Sequence, residues 1–385
     1  MGFFEGYIVL SFFLTAGYIV LIFLFTFGLR QILKQKVDPV QNHSTKVSII
    51  IPTRNETLTI LPCLNDLINQ EYPRNLFEII VTDDFSEDNT CELVHAFIKQ
   101  YPEFPVSIVS LKGFVPKEIG KKKALSRAIN MATGELIITT DADTTHENTW
   151  ISSIVNFFVV HEPQMILGPV AFQQEKNFLQ KIQSLEFMGL MGVTAGAAWL
   201  KLPLMCNGAN MAFRKEAFIK TGGYHDNYQY TSGDDMFLLS KFIKVFGKKT
   251  VMFLGNPKAI TYTQAEQSWS GLLHQRIRWI SKSHGYSNGW LIFLSIYTWL
   301  VHFILFAGIF IGFFDPHLIG VSLALWFAKI LAEYSLVLRM SEFFNKKHLL
   351  NYYFPAQLFQ WIYVSILGLL GNFLPYRWKG RIIKR

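Results

Sequence analysis

The stretch Gly6–Leu29 contains no charged residue. A bilayer crossing needs about 20 apolar residues in a row, so this stretch is long enough to span. The start, MGFFEG, is not basic, and no small-residue cleavage site follows. An uncleaved anchor is therefore expected rather than a removed leader. Arg30, Lys34 and Lys36 follow it. Cations mark the cytosolic flank of a span, so the next domain is expected to face the cytosol, with the chain in the plasma (inner) membrane. The chain turns apolar again after residue 288. Gly289–Phe314 lacks Asp, Glu, Lys and Arg; His317–Leu338 is apolar apart from Lys329 and Glu333; Asn351–Tyr376 is uncharged. These make three more spans, or two and a re-entrant segment broken at Pro355, Gly368, Gly371 or Pro375. Three full crossings would place the basic tail (Arg377, Lys379, Arg381, Lys384, Arg385) outside, whereas its charge favours inside.

Composition agrees with a membrane protein. Charged residues are 17% and hydrophobic residues 50%, against about 25% charged in soluble chains. The net charge of +8 fits nucleic acid or an anionic membrane face. The cations crowd beside the apolar runs, which selects membrane lipid as the partner and no nucleic acid. Cys63, Cys91 and Cys206 are scattered, odd in number and without metal-ligand spacing, and read as free thiols.

Between the apolar ends the pattern changes. A polar linker with Pro39 leads into the β-branched run Val47–Ile51, which ends at Pro52. Strand-like Phe77–Thr82, Val106–Leu111 and Leu136–Thr140 alternate with helical stretches near Leu58–Asn69, Cys91–Gln100 and Lys121–Ala132. That alternation predicts an α/β domain with a mostly parallel sheet covered by helices, and ligands at the carboxyl ends of its strands. The expected division is an anchor at 1–36, a catalytic domain at 46–285, a membrane domain of two to three spans at 289–376 and a basic tail at 377–385. Phe178–Leu200 carries Gln180, Lys181, Gln183 and Glu186 and is too polar to span easily; it suits an interfacial helix or a core helix.

Acids gather at the predicted strand ends. Asp83 and Asp84 follow one strand, suited to a ribose hydroxyl or a base N–H. Asp88 suits a helix start. Asp141 and Asp143 follow another, and a spacing of two puts them on one side of an extended chain. Two such carboxylates suit a hard divalent cation that in turn holds phosphate oxygens. Asp234 and Asp235, after Ser232-Gly233, open the helical stretch Met236–Phe246, where a carboxylate favours the helix dipole or serves as a general base. Gln275, Arg278 and Trp279 lie on adjacent faces of one helix. They suit a departing diphosphate and a sugar ring, or a basic and aromatic belt beside a membrane.

Taken in this order, the four elements resemble the membrane-integrated branch of the family-2 glycosyltransferases, which includes synthases of cellulose, hyaluronan and poly-N-acetylglucosamine and ceramide glucosyltransferase. The resemblance covers about residues 46–285 by motif. The opening Ile51-Pro52-Thr53-Arg54-Asn55-Glu56 is similar to the family's first-strand signature, which implies donor contacts near Pro52, Asn55 and Glu56. Asp83 and Asp84 match its nucleotide-contacting acids, Asp141 and Asp143 its DxD, and Gln275, Arg278 and Trp279 its QxxRW. Gly120–Leu125 is similar to its GK-x-x-AL helix start, which puts Lys121 near phosphate. Asn207–Asn210 resembles a segment near its acceptor site, and Trp378–Arg381 the tail of several bacterial members. Two positions depart: Asp234 stands where Glu is usual, and Phe85 where Gly is usual. The resemblance implies a GT-A fold and inverting, metal-dependent transfer from a nucleotide sugar, UDP-linked, to a glycan or lipid acceptor. Asp143 would hold Mg²⁺ or Mn²⁺, Asp235 would be the base beside Asp234, and Arg278 would steady the leaving diphosphate. The competing class is a non-catalytic basic membrane scaffold, or a transporter built on Lys329 and Glu333.

Overall fold

The computed structural model describes residues 2–35, 44–111, 120–228, 233–281, 288–371, 373–378 and 381–383. Lys36, the linker around Pro39, Ser232, and Lys379, Gly380, Lys384 and Arg385 of the tail lie outside the described residues. The chain groups into two compact units. One holds residues 32–173 and 201–264; the other holds 1–31, 174–200 and 265–385. This is not the linear division expected from the sequence. Residues 174–200 and 265–281 group with the long apolar helices, where Gln183 bonds Glu266 and Glu186 pairs with Arg276.

The first unit is an α/β domain. A seven-stranded sheet runs in the order β3 (Val106–Ser110), β2 (Phe77–Asp83), β1 (Val47–Thr53), β4 (Leu136–Thr139), β8 (Met211–Arg214), β6 (Met165–Leu167), β9 (Val251–Phe253). Only β8 runs against its neighbours. A second sheet joins β5 (Thr145–His146), β10 (Thr261–Thr263) and β7 (Val170–Phe172). Helices α2 (Ile60–Ile68), α3 (Thr90–Gln100), α4 (Lys121–Met131), α5 (Trp150–His161), α7 (Lys215–Lys220) and α8 (Asp234–Phe246) complete the unit. Ile49, Ile51, Ile79, Val81, Leu136 and Ile138 are buried on one core with Leu64 and Trp150. Burying each such side chain contributes about 1.5–3 kcal/mol, which accounts for the near-continuous apolar strands of a parallel sheet.

The sheet's order sets the site. From β1 the chain moves outward to β2 and β3, then returns to place β4 on the other side of β1. Ligands of such sheets bind where the order reverses, at the strands' carboxyl ends. Pro52 lies within β1 rather than ending it. It is tolerated because β4 pairs only with Val47–Ile50, so the N–H that Pro lacks is not needed by that neighbour.

The second unit is helical. It contains α1 (Phe3–Lys34), α6 (Phe178–Trp199), α9 (Trp269–Ser281), α10 (Gly289–Ile311), α11 (His317–Phe343) and α12 (Tyr353–Leu370). Four helices, Phe4–Lys34, Gly289–Ile311, His317–Phe343 and Lys347–Leu370, are long and apolar enough to cross a membrane. Pro355 does not break the last one, because it sits in the first turn, where no intrahelical donor is lost. Helix α6 is a core helix of this unit. Leu179, Ile182, Leu185, Met188 and Ala195 are all buried, and Gln183 is bonded to the Leu179 and Glu266 carbonyls. Gly28 and Gly196 let α1 and α6 touch backbone to backbone: a Cβ on Gly28 would stand 2.5 Å from the Gly196 carbonyl oxygen. After α12, the short hairpin of β11 (Tyr376–Trp378) and β12 (Arg381–Ile383) brings Tyr376 into a cluster with Ile277 and Leu367.

Candidate active site

The loop after β2 is shaped from within. Asp83 is fully buried. Its carboxylate accepts from the Ser86 N–H at 3.1 Å and the Ser110 hydroxyl at 3.2 Å, so both oxygens already have protein donors. Arg54, which the sequence reading left without a role, is buried and donates to the carbonyls of Asp84 (2.7 Å) and Phe85 (2.9 Å) and to Glu87 (3.0 Å). Asn55 and Phe85 both adopt left-handed backbone, at φ 54° and 59°. The family's usual Gly at the second position has its reason there, since only Gly takes that conformation without cost. Asn55 is tied to Ser86 and Glu87. The Glu56 N–H donates to Thr90, and its carboxylate accepts from Thr59. Asp88 joins the two loops by accepting from Thr57 and Thr90. Burial pushes its carboxyl pKa up, but those donors together hold it below the ordinary value.

Asp84 reaches across to α4, accepting from the Gly120 N–H at 3.1 Å. The next residue, Lys121, is the centre of the site. Its ammonium stands 3.3 Å from Asp141 and 3.3 Å from Asp234. Burial would depress its pKa, but Asp141, Asp234 and Asp235 together hold it above the usual range. The DxD turn and the start of α8 are therefore one cluster. Gly208 belongs to it as well, since a Cβ there would lie 3.6 Å from the Asp234 carboxylate and 3.7 Å from Asp235 Cβ. In the same segment Asn210 is buried, and donates to the Pro169 and Ala259 carbonyls at 2.8 Å each. Its role there is to fix the backbone.

Asp143 is partly buried, and its carboxyl is raised to about 6, first by burial and then by Asp141, against the Lys121 charge and the Thr263 hydroxyl. Beneath the turn, the Thr144 hydroxyl donates to the Asp141 carbonyl at 2.6 Å, and Thr140 meets His146 at 2.9 Å. Burial drives the His146 pKa down to about 3, so this imidazole is a neutral support. Thr140, Thr144, His146 and Thr263 were not singled out in the sequence; a His after a DxD is the only trace they leave there. Among the described residues no group of three or more His, Cys, Asp or Glu is placed to hold a metal alone. Two carboxylates sharing one turn, one of them reluctant to ionise, nonetheless fit Mg²⁺ or Mn²⁺. Such ions take one or two carboxylates and fill their shell with substrate phosphates and water.

Asp235 opens α8 beside Asp234 and accepts from the Met236 N–H at 2.8 Å. Gln275, Arg278 and Trp279 lie on α9 of the helical unit, as the sequence pattern expected. Gln275 donates to Glu266 at 3.3 Å.

A family model described as "Glycosyl transferase family group 2" matches residues 136–378. A second, "Glycosyl transferase family 2", matches residues 48–222. The chain belongs to glycosyltransferase family 2. It moves a sugar from a nucleotide-sugar donor, and its four apolar helices mark this family-2 enzyme as a membrane protein. It is similar to the probable glycosyltransferase YdaM of Bacillus subtilis, at 26% identity over 73% of this chain and 70% of that one. It is also similar to the poly-beta-1,6-N-acetyl-D-glucosamine synthase of Staphylococcus epidermidis, at 27% identity over 62% of this chain; the match spans 54% of the synthase's length. Among solved structures, the mannosyltransferase PcManGT of Pyrobaculum calidifontis, in complex with GDP-Man and Mn²⁺, shares the GT-A fold with a TM-score of 0.57 at 18% identity, covering 94% of this chain and 99% of that one.

Proposed function

We propose that this enzyme performs inverting transfer from a UDP-sugar to a membrane-proximal glycan or lipid, in synthesis of cell-envelope polysaccharide or glycolipid. The observation that carries the reading is Lys121, held between Asp141 and Asp234, which joins the donor motif to the base motif. Asp84, at the end of β2, is the nucleotide contact. Asp234 pairs with Lys121, and Asp235 beside it is assigned as the base by resemblance. Asp235 takes the proton of the acceptor hydroxyl as that oxygen bonds to the anomeric carbon. The bond from that carbon to the diphosphate oxygen breaks on the opposite face. A divalent cation held by Asp143, with Asp141 alongside, would supply positive charge to the donor's diphosphate. Arg278 and Trp279 are assigned by resemblance to the leaving diphosphate and the acceptor.

Supply of nucleotide sugars requires the α/β unit to face the cytosol, as the cations that follow the first apolar run (Arg30, Lys34 and Lys36) also argue. A protease tag near Gln41 is expected to be protected in intact cells, and cleavage there from outside would reverse the orientation. The function itself is tested by offering the purified protein a panel of nucleotide sugars with membrane lipids as acceptors. Relatedness to the N-acetylglucosamine polymer synthase makes UDP-N-acetylglucosamine the first donor. Release of nucleoside diphosphate with sugar on an acceptor is expected. No turnover with any donor would favour the scaffold reading.

A further inference from the structure

The family signature leaves the second position of Gln275-Arg276-Ile277-Arg278-Trp279 unspecified. We propose that Arg276 is the positioning residue that sets Gln275 and Trp279, and that Glu186 and Tyr363 hold it in place. This rests on the reading of Gln275, Arg278 and Trp279 as catalytic machinery.

Arg276 is 4% exposed, and its guanidinium touches every part of the motif's frame. Nη1 donates to Gln275 Oε1 at 2.5 Å, and Nη2 to Glu186 Oε2 at 2.6 Å. Its Cζ lies over the Trp279 ring, 4.2 Å from the ring centre. Tyr363 of α12 donates to the other Glu186 oxygen. Gln275 is fixed at both ends, since its Nε2 donates to Glu266. Glu266 is fixed in turn by reciprocal bonds with Gln183, at 3.1 and 3.0 Å. A planar fork with several donors can serve two acceptors and stack on a ring at once; a lysine ammonium cannot. A bare helix-to-helix ion pair would need only Arg276 and Glu186. The added bond to Gln275 and the stack on Trp279 aim the pair at the motif, and Tyr363 makes that aim depend on α12.

The test uses the full-length protein with three variants: Tyr363→Phe, Glu186→Gln and Arg276→Lys. Each is measured for kcat and donor KM per folded molecule, alone and combined with Gln275→Ala. Misplacing catalytic groups by about 1 Å costs on the order of 100-fold. We expect kcat to fall by roughly 10- to 100-fold in Arg276→Lys, less in the other two, with donor KM unchanged. Added to Gln275→Ala, each should cost less than it does alone, because only the part that acts through Trp279 remains. Tyr363→Phe removes only a hydroxyl, so it stays informative if Arg276→Lys folds poorly. Wild-type kcat in the folded variants, a rise in KM alone, or losses that multiply with Gln275→Ala would overturn the proposal. Full transfer by Gln275→Ala itself would instead remove the reading of the motif on which it stands.

Discussion

Two ionic clusters in this chain each set a lysine against carboxylates, yet differ in charge balance. In the α/β unit, Lys121 serves Asp141 and Asp234, with Asp143 and Asp235 adding to the field. Four carboxylates face one ammonium, and Asp143 resists ionising. In the helical unit, Lys329 meets a single partner, Glu333, at 2.9 Å, and Tyr18 donates to the same carboxylate at 2.5 Å. Lys329 is wholly buried and its charge is matched one to one. Among the described residues the first cluster gathers several carboxylates around one lysine, whereas in the second a single lysine–glutamate pair is closed by Tyr18. The pair lies within one helix, α11, and Tyr18 ties it to α1, so Lys329 and Glu333 read as a structural ion pair rather than a transporter site.

The largest effect should come from the first cluster. Asp235→Asn is expected to reduce transfer by about 10²–10⁴-fold, the usual contribution of a general base, with nucleotide binding intact by calorimetry. Near wild-type transfer would remove Asp235 as the base. Loss of nucleotide binding would make it structural.

Breaking the second cluster should show in stability rather than chemistry. Lys329→Met leaves Glu333 as an unmatched buried charge, at a cost of about 3–5 kcal/mol. Less folded protein should be recovered from membranes, and its melting temperature in detergent should fall. The molecules that do fold should turn over donor at the normal rate.

A smaller, graded effect follows from Asp143. The carboxyl is raised to about 6, above the ordinary value of about 3.9, so ionisation in the metal-free protein is unfavourable. That destabilisation is present above pH 6 and relieved as pH falls through it. Cation binding needs the carboxylate, so metal-supported transfer should decline as pH drops below about 6, and added Mn²⁺ should shift the midpoint down. Asp143→Asn should weaken metal-dependent donor binding and remove this midpoint. Full turnover in excess chelator, with metal loss confirmed, would remove the cation from the mechanism.

How much of this could be read in the sequence differs between the clusters. Asp84, Asp141 and Asp143 were visible because each follows a β-branched strand long enough to show itself. What joins them was not. Lys121 and Asp234 are far apart in sequence, and only the reversal of strand order at β1 brings α4 and α8 to one place. The strands β6 and β9, each three residues long, are too short for any periodicity. Asp83 and Asp84 looked equivalent, yet burial gives Asp83 to the loop and Asp84 to α4. Helix α6 was ambiguous because Gln183 and Glu186 look like surface residues until Glu266 and Arg276 are in place. The pair Lys329 and Glu333 was legible from its i, i+4 spacing, but Tyr18 was not.

The smallest expected effect is the sharpest test of the contrast. Lys329→Met combined with Glu333→Gln removes both charges, keeps the length at 333, shortens the chain at 329 by one atom and leaves Tyr18 an acceptor. Replacing a buried pair by neutral groups of similar shape is often neutral or stabilising, unlike removing one partner. The double variant should therefore recover the stability that Lys329→Met loses, and transfer per folded molecule should match wild type. The same operation on the α/β unit, Lys121→Met with Asp141→Asn, should abolish transfer even where the protein folds. If the Lys329 and Glu333 double variant folds normally but loses transfer, the charges in the helical unit act on the reaction, and charge balance no longer separates a scaffold from a site.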